Sequence, residues 1–296
     1  MRWGDFRRSD NVEDRGASGG GTGGAGIKLG GGAIVVVVIA SLLFGVNPLE
    51  MLAMLEGGGG PVAVPQQTAP APVGSGGASR PAVRDEAKEM VAHVLGDTED
   101  TWTAVFKSMG QPYVAPKLVL FRGSTQSACG HAVAAVGPFY CPASREVYLD
   151  TAFFNDLSRR FGAPGDFAQA YVVAHEVGHH VQNLAGTMEQ VERESRRMDA
   201  RGRNALSVRL ELQADCYAGV WGHFAQRRNL LDPGDVEEGL RAAAAVGDDR
   251  IQKHTQGAVV PDAFTHGSSA QRARWFRVGL DSGDVKRCNT FAAGAP

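Results

Sequence analysis

No excess of positive charge marks this sequence. Thirty Lys and Arg stand against 32 Asp and Glu, a formal net charge of -2. A chain so balanced has little with which to track a phosphate backbone, so nucleic acid is excluded as an expected partner. Cysteine is scarce as well, with four residues in 296. Lysine and arginine are missing altogether between Lys28 and Arg80, and from Leu29 to Leu49 there is no charge of either sign. Apart from these gaps the composition is that of an ordinary globular protein, 43% hydrophobic and 21% charged. The 39 glycines are unusual because they cluster, which predicts a segmented chain.

The uncharged run 29–49 has the length of a membrane-crossing helix, about 30 Å at 1.5 Å per residue. Its valine-rich centre is too long for a strand. Arg2, Arg7, Arg8, Arg15 and Lys28 precede it. The expectation is a single pass through the bacterial cytoplasmic membrane, with the N-terminus inside and a lipid bilayer as partner through residues 29–49. A cleaved signal peptide is the alternative, but no small-x-small site follows the apolar core. Residues 1–28 then form a Gly-rich cytoplasmic head, and the Gly/Pro/Ala-rich stretch 50–80 a linker. Residues 81–296 form one extracytoplasmic domain.

Within that domain the patterns predict an α+β fold, mostly helical with a small sheet. Helices are expected over Asp85–Leu95 and Thr98–Met109, divided by Gly96, and strands over Lys117–Phe121 and Glu146–Leu149. Asp166 with Gln169 reads as a capping box for a helix reaching about Leu184. A long helix from about Ala205 to Arg228 carries the stripe Leu210, Ala214, Tyr217, Trp221 and Phe224. Asp232-Pro233 reads as another helix start, and Ser268 with Gln271 as the cap of the last helix.

His175-Glu176-Val177-Gly178-His179 carries the chemistry. Four residues apart on a helix, both imidazoles face one metal ion, and Glu176 is placed to act on water bound to it. A single Zn²⁺ with three protein ligands keeps a position for water and lowers its pKa to about 7. His180 reads as a polar neighbour only. The third ligand is not a histidine six residues on, because the positions such a motif needs are Gln182 and Ala185. Glu211 and Asp215, four apart on the second long helix, supply it. Glu211 as ligand with Asp215 orienting a histidine is the first reading, and Asp215 as ligand the second. Small Ala218 and Gly219 beside them suit close packing against the histidine helix.

This pattern resembles the zincins that use a glutamate as third ligand. The wider chain resembles the bacterial neutral zinc metallopeptidase family, whose members have a single membrane span. The resemblance runs through Met1-Arg2-Trp3, Asn11-Val12-Glu13-Asp14-Arg15, Gly45-Val46-Asn47-Pro48 and the stretch Cys129 to Asp150. It continues in the histidine motif, in Glu211 to Cys216, and in Thr265-His266-Gly267-Ser268-Ser269 with Arg272, Trp275 and Phe276. It implies a zinc-peptidase fold and a metallopeptidase label; the substrate is not supplied by the match, and the expected partner is a peptide or protein, with no small-molecule cofactor.

The cysteines allow three pairings. Cys129 with Cys141 closes a short loop, and Cys216 with Cys288 then ties the ligand helix to the C-terminus. Free thiols, or a metal site of Cys129, His131 and Cys141, are the alternatives. His266, before the last helix, is a candidate donor to the oxyanion of hydrolysis, with Tyr148 and Tyr217 as rivals. The strand at Glu146–Leu149 is a candidate edge for pairing with an extended substrate. The resulting expectation is an anchored zinc endopeptidase. The alternative is an anchored zincin-fold binding or scaffold protein without turnover, since no propeptide pattern, substrate domain or specificity pocket stands out.

Overall fold

Side chains alternate across a strand, and here the alternation sorts apolar residues onto two faces of one sheet. In a computed structural model, which describes residues 1–17 and 82–296, β1 (Val12–Ala17), β2 (Lys117–Arg122), β5 (Phe139–Cys141) and β6 (Glu146–Asp150) lie in the order β1-β2-β6-β5. β1 and β6 run parallel to β2, and β5 is antiparallel to β6. Leu118, Leu120, Val147 and Leu149 face the helices and join the main core. Val119, Phe121, Cys141 and Tyr148 form a smaller cluster of their own. A separate hairpin, β3 (Ser124–Ser127) and β4 (Gly130–Val133), comes between β2 and β5 along the chain.

Eight α-helices complete the described residues: α1 (Ala82–Ser108), α2 (Phe153–Arg159), α3 (Asp166–Leu184), α4 (Thr187–Ser195), α5 (Ala200–Arg227), α6 (Asp235–Ala245), α7 (Asp248–Gln256) and α8 (Ser269–Ser282). The expected α+β class, mostly helical with a small sheet, is what the structure shows. α5 is the central helix. It is buried without a break from Glu211 to Gly222, packed by α3, α8 and α1, so the single apolar stripe expected for it is too narrow. Leu210 and Phe224 of that stripe are only half-buried.

Several local expectations change. Gly96 does not divide two helices but lies inside α1. A Cβ there would sit 2.0 Å from the Arg7 carbonyl oxygen and 3.0 Å from the Ser9 amide. Glycine in mid-helix costs about 1 kcal/mol against alanine, and here it lets another stretch of backbone reach the helix surface. Asp166 is the first residue of α3, not its cap, and its carboxylate accepts from the Met1 ammonium at 2.9 Å. α6 starts at Asp235 after Gly234, so Asp232-Pro233 precedes the helix rather than opening it. The capping box of Ser268 and Gln271 is present as expected.

The N-terminal residues overturn the expected topology. Residues 1–17 are built into the same unit as 82–296. β1 pairs with β2, the Ser9 amide donates to the Ala92 carbonyl, and the Arg2 amide donates to the Leu230 carbonyl. The buried Glu99 carboxylate takes its hydrogen bonds from this segment: Arg7 Nη2 at 2.6 Å, Ser9 Oγ at 2.7 Å and Asn11 Nδ2 at 2.7 Å. A single pass over 29–49 would place this head and the domain on opposite sides of a bilayer, which these contacts forbid. No helix among the described residues is long and apolar enough to cross a membrane. The localisation expected from the sequence, with a cytoplasmic N-terminus and an extracytoplasmic catalytic domain, is therefore corrected. The stretch 29–49 and the linker 50–80 lie outside the described residues.

Gly96→Ala tests the docking of the head. The methyl group meets the Arg7 backbone, and overpacking of this kind costs about 1–3 kcal/mol. The expected result is a lower melting temperature and rapid tryptic cleavage at Arg7 and Arg8. Cleavage as slow as in the unmodified chain would show that the head is not held where Gly96 admits it.

Candidate metal centre

Helices come closest where side chains are smallest, and α3 meets α5 at such a point. A Cβ on Gly178 would lie 2.8 Å from the Ala214 carbonyl oxygen. The glycine inside the histidine motif thus brings the two helices into backbone contact. Gly219, expected to serve this crossing, serves another: it faces Phe276 and Leu280 of α8, while Gly279 of α8 faces Cys216. The two close crossings set α3 and α8 on either side of α5.

The first crossing brings His175, His179 and Glu211 together, with one ligand atom from each lying within 4.8 Å of the others. His175 Nε2 is 3.2 Å from Glu211 Oε2, and His179 Nε2 is 3.4 Å from Glu211 Oε1. Two ligand atoms at about 2.05 Å from a tetrahedral Zn²⁺ stand about 3.3 Å apart. Each histidine thus stands at such a spacing from one oxygen of Glu211, and a donor set of two imidazoles and one carboxylate fits zinc with a fourth corner left over.

Both imidazoles are oriented from behind. His175 Nδ1–H donates to Asp215 Oδ1 at 2.9 Å, which leaves Nε2 to the centre. Asp215 is wholly buried and does not join the three converging ligands. Its two oxygens accept from Arg272, Nε to Oδ2 at 2.8 Å and Nη2 to Oδ1 at 2.9 Å, and Oδ1 also accepts from the Tyr171 hydroxyl. His179 Nδ1–H donates to Gln182 Oε1 at 2.9 Å.

Charges in the centre support one another. Burial disfavours a charged His175, but the Asp215 carboxylate and the bonds to Asp215 and Glu211 outweigh it and raise its pKa to about 9. For Glu211 burial is likewise the largest influence, and the two histidines overcome it, holding the carboxyl well below its usual range. The Asp215 and Glu211 carboxylates thus draw positive charge to the place where a cation would bind, a metal there displacing the proton from the histidine. Glu176 differs. Burial raises its pKa, the histidine charges only partly offset this, and its Oε2 is buried with no hydrogen-bond partner among the described residues. A carboxylate oxygen left bare beside three converging ligands is suited to a bound water.

His266 also reaches this region. Its Nδ1–H donates to Asp248 Oδ1 at 3.0 Å, while Asp248 Oδ2 accepts from the backbone amides of Thr265, His266 and Gly267. Burial works against its protonation, but Asp248, helped by the charge of Glu211, raises its pKa overall. The rivals lie elsewhere. The Tyr148 hydroxyl donates to Glu146 and its ring stacks on Phe139 in the smaller cluster. Tyr217 packs edge-on to Trp102, and burial pushes its hydroxyl up to about 12.

β6 lies between β2 and β5, so it cannot be the edge that pairs with substrate. Among the described residues the unpaired edge beside α3 is β5, Phe139–Cys141. His180 is a packing residue: its Nε2–H donates to the Val114 carbonyl at 2.6 Å and its Nδ1 accepts from the Tyr140 hydroxyl at 2.9 Å. Burial drives its pKa down to about 4. The cysteines pair as Cys129–Cys141 and Cys216–Cys288, which closes the alternatives of free thiols and of a metal site with His131. A second acidic group, Asp166, Asp235 and Glu238, lies around the Met1 ammonium.

Sequence reasoning did not assign roles to Tyr171, Arg272, Gln182, Gln213 or Asp248. Tyr171 and Gln182 lie four residues before His175 and three after His179 on one helix, a spacing that could have drawn attention to them. Arg272, Gln213 and Asp248 reach the centre only through tertiary contacts.

A family model described as "Putative neutral zinc metallopeptidase" matches residues 1–291. The chain is 48% identical over 297 aligned residues to the uncharacterized protein YpfJ of Escherichia coli K12, covering 98% of this chain and 99% of that one. It is 45% identical over 207 residues to the uncharacterized protein Mb2605 of Mycobacterium bovis, covering 66% of this chain and 69% of the relative. No solved structure matches.

Proposed function

The chain belongs to the neutral zinc metallopeptidase family, and from that premise we propose that it is a zinc-dependent endopeptidase whose centre is held by His175, His179 and Glu211. The observation that carries this reading is the convergence of His175 Nε2, His179 Nε2 and the Glu211 carboxylate beside a Glu176 oxygen that has no partner among the described residues. Zinc, when bound there, acidifies a coordinated water and polarises the substrate carbonyl.

The remaining steps fall to side chains of this chain. Glu176 accepts the proton of the attacking water as its oxygen joins the carbonyl carbon. The same carboxyl then delivers that proton to the amide nitrogen as the C–N bond breaks. His266, with Nδ1 held by Asp248, has Nε2 free to donate to the oxyanion. The open edge of β5 offers backbone groups to an extended peptide, a role the sequence had suggested for β6.

The test uses the full chain loaded one-to-one with zinc and incubated with a mixture of unrelated peptides. Internal cleavage that stops on chelation and returns with added zinc is expected. Stoichiometric zinc without cleavage of any peptide would overturn the peptidase reading in favour of a zincin-fold binding protein.

A further inference from the structure

The second ligand histidine is oriented by a pair of glutamines rather than by a carboxylate. Gln182 Oε1 accepts from His179 Nδ1 at 2.9 Å, and Gln182 Nε2 donates to the Leu210 carbonyl at 2.6 Å and to Gln213 Oε1 at 3.1 Å. Gln213 Nε2 in turn donates to the Cys288 carbonyl at 3.0 Å. Both glutamines are almost fully buried. We propose that Gln182 and Gln213 are positioning residues that form one relay, carrying the fixed backbone of the C-terminal segment to His179 and setting the ring form that ligates metal.

The direction of the relay follows from its far end. A backbone carbonyl only accepts, so the Cys288 and Leu210 oxygens each require an amide nitrogen in front of them. That turns Gln213 Oε1 towards Gln182 and Gln182 Oε1 towards His179. The only group His179 can offer such an oxygen is Nδ1–H, so Nε2 is left without a proton and faces Glu211. An isolated amide could flip and donate its own N–H to the ring; these two cannot without turning amide oxygens against the Cys288 and Leu210 carbonyl oxygens. The anchor itself is fixed on both sides. Cys288 is bonded to Cys216, three residues beyond Gln213 on α5. Thr290 Oγ1 donates to the Arg209 carbonyl at 2.6 Å, and Arg209 Nη1 donates back to the Thr290 carbonyl at 2.6 Å.

The relay differs in kind from the support of His175. There a carboxylate with Arg272 and Tyr171 supplies charge as well as direction. At His179 the support is neutral and supplies direction only, so the centre gains no second negative charge behind its ligands. The assignment rests on the zinc centre proposed above, and its test therefore reads metal binding rather than hydrolysis.

Zinc affinity is measured on the full chain by competition with a chromophoric chelator, together with the visible spectrum of the cobalt-substituted protein. Loss of an outer partner of a ligand histidine weakens metal binding about 10–100-fold, and this is expected for Gln182→Leu, with an altered cobalt spectrum. Gln182→Glu keeps an acceptor for Nδ1–H but loses the donor to Gln213 and Leu210, so it should recover only part of the affinity and spectrum lost in Gln182→Leu. Gln213→Leu should weaken zinc by a smaller factor. The double variant Gln182→Leu/Gln213→Leu should bind no more weakly than Gln182→Leu alone, because one break already interrupts the relay. Wild-type affinity and spectrum in Gln182→Leu, or losses that multiply in the double variant, would overturn the proposal. Should Gln182→Leu fail to fold, as read from its melting without metal, Gln213→Leu against wild type decides: equal zinc affinity and an equal cobalt spectrum refute the relay. An unmodified chain that binds no metal would instead refute the centre.

Discussion

Glu176→Gln is expected to keep its zinc and to lose peptide hydrolysis by about 10²–10⁴-fold, the usual contribution of a general base. The substitution preserves shape and removes only the ability to accept a proton. The three ligands are unaffected, because none of them hydrogen bonds to Glu176: its Oε2 has no partner among the described residues. Metal content measured beside cleavage of the same peptide mixture separates this outcome from collapse of the site. His175→Ala provides the contrast, since it should lose metal and activity together. A Glu176→Gln protein that cleaved at the unmodified rate would rule out Glu176 as the base and with it the proposed route of the proton.

The largest effect on stability is expected at Arg272. Its guanidinium is buried, paired through two nitrogens with the buried Asp215, and also donates to the Tyr171 hydroxyl at 3.2 Å. A buried ion pair adds little net stability when intact, but removal of one partner strands the other charge in a poorly solvating interior. Arg272→Met should therefore cost about 3–5 kcal/mol. In a unit of this size that lowers the melting temperature by about 10 °C. Asp215→Asn should also destabilise, because it strands the arginine, and it should weaken zinc about 10–100-fold through His175. The double variant Arg272→Met/Asp215→Asn leaves no lone charge and should melt above Arg272→Met. Thermal melting of the metal-free proteins checks the series. An Arg272→Met protein that melted with the unmodified chain would show that Asp215 finds its compensation elsewhere.

The contrast between Asp215 and Glu211 shows where spacing stops being informative. Four residues apart on α5, the two carboxylates leave two readings open in the sequence, with Glu211 as ligand the first, and it is the crossing of α3 over α5 at Gly178 and Ala214 that brings Glu211 to both Nε2 atoms. Asp215, one turn on, meets the back of His175 and the guanidinium from α8. Gly96 poses the same difficulty for the fold. A glycine between two apolar stretches reads as a break, and its use as a landing place for Arg7 cannot be seen without the other segment. β6 read as an edge because it precedes the histidine helix in the chain, whereas strand order is set by pairing with β2 and β5.

Short-range order was within reach of the sequence: the histidine pair with its glutamate, the carboxylates on the long helix, the cap at Ser268, the apolar strands and the helical character of the domain. Each depends on residues three or four apart along a helix, or two apart along a strand, and such spacings are fixed by backbone geometry alone. Only the tertiary structure decided which carboxylate faces the centre, how the head enters the sheet, and how Gln182, Gln213, Arg272 and Asp248 support the ligands. Those outcomes depend on which surfaces approach closely enough to exclude water, and that is a property of the assembled core, where distant residues share one buried space.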